Sequence, residues 1–192
     1  FFGIRDGDWG VVTYEFGDVV AAMNAVYPHD WAGFFKSRME SPGQPAPLAG
    51  IEAAGYRLVW KEEPNLFDKA LMEDGKNLSL TYSLGITLDK DGVVGSPRWD
   101  SPAVNAGIVT GAKVIAVNGL AYDADGLKAA IMAAKTNGKP IELLVKRGER
   151  FLTVPVSWNG GLRYPWLERT PSARGPAGLD LLLAPRRAVA GK

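Results

Sequence analysis

Apolar residues recur at helical spacing in the first quarter of the chain, between residues 16 and 27. Pro28 follows directly and blocks a continuing helical hydrogen-bond ladder, because its ring removes the N–H donor. Asp30 then precedes a second apolar stripe and suits the N-cap of a new helix. The pattern therefore predicts two helices within residues 16–40.

The next segments are shorter and more mixed. Residues 41–47 form a proline-rich break, and residues 48–55 have the pattern of a short helix closed by Gly55 in a left-handed conformation. Residues 56–60, with the sequence YRLVW, predict a strand. Residues 61–77 are polar and fit no single type of element.

From Leu78 onward the pattern changes to short strands and turns. Residues 78–83 and 86–89 are strand-like, and the continuous apolar run 114–117 is typical of a buried strand. Two dipeptides mark tight turns, because aspartate or asparagine followed by glycine tolerates positive φ angles. These dipeptides are Asp91-Gly92 and Asn118-Gly119.

Residues 123–139 give the clearest helical pattern in this half of the chain. Asp123 or Asp125 can cap its start, and Gly138 can close its end. Its buried face is predicted to carry Leu127, Ala130, Ile131 and Ala134.

The end of the chain alternates between extended and irregular patterns. Residues 141–156 predict a hairpin that turns at Arg147-Gly148, and the segment after Trp158 is predicted to be a loop. Within it, residues 171–178 are expected to be mobile, and residues 179–187 are expected to add a last helical turn.

Composition and charge exclude several classes of protein. The 192 residues carry a formal net charge of +1, which gives no support for broad attraction to nucleic acid or to an anionic membrane. No apolar run is long enough to cross a bilayer. The absence of cysteine removes disulfides, thiolate catalysis and cysteine-ligated zinc. The chain begins at Phe1, which we interpret as an interior position of a longer polypeptide.

Three short motifs in the second half of the chain occur in the same order as in a known type of domain. They are Leu84-Gly85-Ile86, the stretch SPAVNAG at 101–107, and VIAVNG at 114–119, followed by the capped helix and the hairpin. With these motifs, residues 82–156 resemble a PDZ domain of the bacterial protease-associated type. The resemblance implies a small antiparallel β-barrel or sandwich with one long and one short helix, and hence an α+β fold.

The flanking segments extend this resemblance. FGDVVAAMNAVYPHDWAGFFKSR at 16–38 and GGLRYPWLER at 160–169 are similar to the C-terminal part of PDZ-bearing glycyl aminopeptidases, zinc enzymes of the thermolysin-like superfamily. The implied organisation is a helical tail of a catalytic domain with a connector (1–77), a PDZ-like domain (78–158) and a C-terminal extension (159–192).

The resemblance implies a non-catalytic fragment of a parent enzyme that removes N-terminal glycine or alanine. The zinc motif H-E-x-x-H is absent, since His29 is the single histidine, so we expect no cofactor in this fragment and zinc in the parent. Periplasmic or secreted localisation is plausible for the parent, and no residue of this chain indicates the compartment.

A PDZ-type groove binds an extended peptide as an added strand. The residues expected to bind a peptide or its terminal carboxylate are the loop and strand residues Leu84, Gly85, Ile86, Thr87 and Leu88, and the helix residues Leu127 and Ile131. Gly85 would let backbone N–H groups face the carboxylate.

The leading hypothesis is that the PDZ-like domain binds peptide segments or C-termini for substrate docking or regulation of the parent enzyme. Two other hypotheses remain open. The domain could be a structural module with an unused or self-occupied groove, or a free-standing adaptor that binds peptides. The expected partners are a peptide or protein C-terminus and the upstream catalytic domain of the same chain.

Other candidate chemistry has simpler interpretations. His29 lies between two predicted helices without an identifiable nucleophile, so we interpret it as structural. Asp89, Asp91 and Asp100 lack the remaining ligands of a calcium loop. The scattered tryptophans are interpreted as packing residues, and Arg186, Arg187 and Lys192 as a solvated basic end.

Overall fold

The computed structural model describes residues 7, 10–11, 13–41, 43, 45–171 and 177–185. The chain forms two compact units, Phe1–Pro47 and Leu48–Lys192, and each is described by itself. The predicted α+β class is confirmed, because helices occur together with small antiparallel sheets. None of the helices in the described ranges is both long and apolar enough to span a membrane.

The first unit contains the two predicted helices, α1 (Phe16–Val26) and α2 (Trp31–Glu40). The Asp30 side chain caps α2 by accepting a hydrogen bond of 2.9 Å from the Gly33 N–H, as expected. His29 is exposed, and its ring lies 5.0 Å from the Trp31 ring in an edge-to-face contact.

The second unit begins with a helix, a strand and a helix. Gly55 adopts a φ of +80° after α3, as the pattern predicts. The segment 61–77, which fitted no single element, contains α4, and the Asn65 side chain caps it by accepting from the Asp68 N–H at 2.8 Å. These elements are α3 (Ala49–Ala53), β1 (Tyr56–Lys61) and α4 (Leu66–Asp74).

The central part of the second unit consists of two sheets and two helices. One sheet pairs β2 with β3, and the other has the strand order β5-β4-β6-β7. The elements are β2 (Asn77–Leu80), β3 (Ile86–Asp89), α5 (Pro102–Asn105), β4 (Lys113–Val117), β5 (Leu120–Ala121), α6 (Ala124–Asn137), β6 (Ile141–Arg147) and β7 (Arg150–Val156).

Helix α6 has the predicted caps and the predicted buried face. Asp123 rather than Asp125 is the N-cap, because its carboxylate accepts from the Gly126 N–H at 2.8 Å. Gly138 closes the helix with a φ of +68°. The buried residues of α6 are Leu127, Ala130, Ile131 and Ala134.

Two expectations about the strands need correction. The β6–β7 hairpin turns at residues 148–149, one position later than expected, because Arg147 still pairs with Arg150 in the ladder. In the described part of the chain the strands form separate sheets and do not close into a barrel. The sheet stays open at β5, which has only two residues.

The segment after Trp158, which was expected to be a loop, contains a strand, β8 (Tyr164–Arg169). This strand pairs antiparallel with β1 along its whole length, from Tyr56 opposite Arg169 to Lys61 opposite Tyr164. The Lys61 ammonium lies 4.6 Å from the centre of the Trp166 ring, which adds a cation–π contact across the ribbon.

The last described helix, α7 (Gly178–Leu183), confirms the expected helical turn. The Tyr56 hydroxyl donates a hydrogen bond to the Asp180 carboxylate, and Arg169 forms an ion pair with Asp180 at 3.2 Å. The hydrogen bond from Tyr56 and a second from the Ala177 N–H lower the pKa of Asp180, while the same carboxylate raises the pKa of Tyr56. Most of the segment expected to be mobile (residues 172–176) and the basic end (residues 186–192) lie outside the described residues.

We predict that truncation after Asn159 destabilises the second unit, because it removes β8 from β1 and deletes the buried Tyr164. Loss of one buried aromatic side chain costs about 3–5 kcal/mol. The melting temperature measured by circular dichroism should fall by about 10 °C. The control is truncation after Thr170, which keeps β8 and should melt within a few degrees of the full chain. Equal melting of both truncated chains would show that β8 does not stabilise the unit.

Candidate functional site

The residues predicted to bind a peptide lie together in the core of the second unit. Except for Gly85 and Thr87, they belong to one apolar cluster that also includes side chains of β2, β4, β6 and β7. Their assembly in one place agrees with the sequence pattern, while peptide binding by them stays a prediction. Leu84, Ile86, Leu88, Leu127 and Ile131 are each 0% exposed, Gly85 is buried, and Thr87 is half-buried.

The β2–β3 loop (residues 81–85) is closed by the main-chain carbonyl group of Leu80. This oxygen accepts hydrogen bonds from the Ser83 N–H at 3.0 Å and from the Gly85 N–H at 2.9 Å. In the sequence-based expectation, N–H groups of this loop bind a ligand carboxylate. At Gly85 the chain supplies its own acceptor.

Gly85 is required by a close approach of the loop to Ser101. Gly85 has a φ of +82°, and a Cβ added there would lie 2.1 Å from the Ser101 Cβ. Ser101 is fixed in turn, since its Oγ caps α5 by accepting from the Val104 N–H at 3.3 Å. The Ala103 N–H donates to the Leu84 carbonyl at 3.0 Å, which holds loop and helix together. The close packing of these two chain segments therefore explains why residue 85 is a glycine.

Both edges of β3 are paired with other parts of the chain. On one edge, the Asp89 N–H donates to the Val93 carbonyl at 3.0 Å, and the Thr87 carbonyl accepts from the Gly95 N–H at 2.8 Å. Because main-chain polar groups alternate between the two edges of an antiparallel strand, those of Ile86 and Leu88 face the opposite edge. There they lie opposite Leu80 and Leu78 of β2.

The outer side of β2 is partly covered as well. The Ser79 N–H approaches the Met72 sulfur of α4 at 3.3 Å. Beyond this contact, a cleft of about 490 Å³ separates α4 and β2 from the start of α6. The cleft is lined by Met72, Leu78 and Tyr122, with Lys69, Lys76 and Lys128 around them.

The described residues contain no cluster of side chains that could hold a metal ion. Within these ranges, no group of three or more histidine, aspartate or glutamate side chains is close enough to hold a metal ion. All buried side-chain nitrogen and oxygen atoms of the described part have hydrogen-bond partners. In these ranges, therefore, no buried polar side chain lacks a hydrogen-bond partner that a ligand could supply.

Sequence reasoning missed the residues that close the edge of β3. Leu78 and Leu80 are 6% and 1% exposed, and their alternation with Ser79 is a strand signal. This alternation predicts a strand, but it does not identify β3 as the strand with which it pairs. Ser101 was quoted as part of a motif, and its position before Pro102 is typical of an N-cap, but its contact with Gly85 depends on the fold.

Comparisons with known proteins were informative only at the level of structure. No protein-family model matches the chain, and no curated protein matches it by sequence. Among solved structures, the chain is similar to an aminopeptidase N family protein from Idiomarina loihiensis, with a TM-score of 0.52 and 17% identity. The match covers 87% of this chain and 28% of the length of that protein's chain. At this identity, the similarity is one of fold alone.

A second solved structure shows a lower similarity. It is the PDZ domain of HtrA3 bound to a phage-derived ligand (FGRWV), with a TM-score of 0.29 and 18% identity. This match covers 60% of this chain and 93% of that domain.

We predict that Gly85→Ala destabilises the second unit by more than about 3 kcal/mol, because a positive φ and a clash with Ser101 act together. Gly107→Ala is the matched control. Gly107 has a φ of +87° with open space around its added Cβ, so only the backbone conformation is penalised, at about 1 kcal/mol. Urea unfolding of both variants measures the difference.

A double variant isolates the clash from the backbone strain. Ser101→Gly removes the two nearest atoms that a Cβ at position 85 would meet, the Cβ and Oγ of Ser101, so Gly85→Ala should cost less in that background, by about 1–3 kcal/mol. Strictly additive losses would show that contact with Ser101 does not determine the residue at position 85.

Proposed function

We propose that this chain is the non-catalytic C-terminal part of a zinc-dependent aminopeptidase that removes N-terminal glycine or alanine, and that residues 82–156 form a PDZ-like module of that enzyme. Two observations support the proposal: the ordered motifs quoted above, and a fold similarity to an aminopeptidase N family protein over 87% of the chain. Zinc would be held by residues outside this chain and would activate water for attack on the peptide carbonyl.

Within that enzyme, the PDZ-like module has a structural role and its groove is occupied by β2. The observation that supports this role most directly is the pairing of β3 along both edges, with Leu78 and Leu80 on the side where a peptide would add. A peptide binds a PDZ-type groove by supplying the missing strand. Here β2 already supplies it.

The alternative role, docking of a peptide on β3, requires β2 to leave. Its departure would expose Leu78 and Leu80, and each buried leucine stabilises the fold by about 1.5–3 kcal/mol. The main-chain groups of β2 would also lose their partners on β3. An incoming peptide would have to offset both costs, which favours the structural role.

We predict that peptides with an apolar last residue leave the groove unchanged. In amide NMR titrations of the chain with a free-acid peptide at up to about 1 mM, the signals of Ile86, Leu88 and Leu127 should not shift. Binding at this concentration would need a net binding free energy of about 4 kcal/mol after the cost of displacing β2 is offset. The same peptide with an amidated C-terminus is the matched control. Shifts at these three residues with the free acid alone would contradict a closed groove and establish docking.

The link to an aminopeptidase has a separate test. The chain alone, supplied with zinc, should release no glycine from a glycyl-peptide substrate. The proposed parent polypeptide, with an H-E-x-x-H motif upstream of this chain, should release glycine from the same substrate. Zinc-dependent activity of the isolated chain would overturn the assignment of a non-catalytic region.

A further inference from the structure

Four side chains form a continuous row on the second unit, which we name the arginine–aromatic row: Arg98, Tyr82, Trp60 and Arg163. The Arg98 guanidinium carbon lies 6.0 Å from the centre of the Tyr82 ring. The Tyr82 and Trp60 rings are 5.0 Å apart, and the Arg163 guanidinium carbon lies 4.4 Å from the centre of the Trp60 ring. Two cations thus flank one pair of rings, which are tilted against each other by 58°.

The row is positioned by the same loop that closes the edge of β3. Tyr82 belongs to the β2–β3 loop, the Arg98 N–H donates to the Gly85 carbonyl at 2.7 Å, and the Arg163 N–H donates to the Ser83 Oγ at 3.1 Å. Ser83 is 3% exposed and Gly85 is buried, so the main chain of each arginine is hydrogen-bonded to a residue of the core. This anchoring places the main chain of both arginines next to the rings.

The two guanidinium groups of the row have no acidic partners among the described residues. In the described ranges, neither Arg98 nor Arg163 forms an ion pair or a side-chain hydrogen bond, whereas Arg57 pairs with Glu168 at 3.1 Å. A guanidinium over a ring face keeps its N–H donors free at its edge. The row therefore presents two sets of unused donors.

The rings of the row are open to solvent. Trp60 is 40% exposed and Tyr82 is 41% exposed, and Trp99, which follows Arg98 in the chain, is 87% exposed. Tryptophan, tyrosine and arginine are the residue types that dominate binding energy at protein interfaces. Exposed rings between unpaired arginines combine an apolar surface with local positive charge.

We propose that the arginine–aromatic row is a docking surface for a peptide segment that carries carboxylates beside an apolar residue. The guanidinium fork matches a carboxylate in a bidentate geometry, and the rings accept the apolar side chain. The formal net charge of +1 makes the positive charge local, which favours a peptide over a nucleic acid. This surface is separate from the groove, so the inference goes beyond the structural role proposed above.

The test is a titration of the full chain with a capped peptide, acetyl-Glu-Glu-Leu-Glu-Glu-amide, followed through the Trp60 indole and Arg163 amide signals. Its matched control is the same peptide with glutamine in place of glutamate. The Arg98→Gln/Arg163→Gln variant should bind about tenfold more weakly, because both guanidinium groups that contact carboxylates are lost. The Arg147→Gln/Arg150→Gln variant loses the same charge in the exposed β6–β7 hairpin and should bind like the original chain.

Further titrations distinguish a side-chain carboxylate from a terminal carboxylate and a peptide from a nucleic acid. Binding of the glutamine peptide only when its C-terminus is free would assign the row to a terminal carboxylate. Equal binding of the capped glutamate and glutamine peptides, equal loss in both arginine variants, or tighter binding of a thymidine oligonucleotide would overturn the proposal. Signals of Ile86 and Leu88 report separately on the groove, so failure of one proposal is distinguishable from failure of the other.

Discussion

The close approach of Gly85 to Ser101 is the contact on which the rest of the second unit depends. No side chain fits between them, and the positive φ of Gly85 lets the β2–β3 loop turn back at that point. The loop then uses its own polar groups to bind three other segments: Leu80 at the end of β2, Arg98, and the start of α5 at Ala103. One small loop therefore holds a strand, a turn and a helix in fixed positions.

This loop also determines which surfaces remain for function. By returning the chain antiparallel to itself, it places β2 on the edge of β3 where a PDZ-type domain would receive a peptide. Its outer side carries Tyr82 and anchors Arg98 and Arg163 next to exposed rings. Both edges of β3 are thus paired within the chain, and the arginine–aromatic row lies on the outer side of the same loop.

Local signals predicted most of the elements, and long-range pairing accounts for what they missed. The caps of α2 and α6 could be predicted because Asp30, Asp123 and Gly138 act on neighbouring residues. Strand β8 could not, because its sequence contains Pro165 and its partner β1 lies about a hundred residues earlier in the chain. Most of the residues expected to bind a peptide pack in one apolar core, but the pairing of β2 with β3 depends on register, which short motifs do not encode.

Amide hydrogen exchange along β3 tests the central claim most directly. If β2 covers the edge, the amides of Ile86 and Leu88 should exchange as slowly as the Asp89 amide, whose partner is the Val93 carbonyl on the other edge. Exchange of the Ile86 and Leu88 amides many times faster than that of Asp89, in the free chain, would contradict a groove closed by β2. It would restore β3 as an open edge for a peptide.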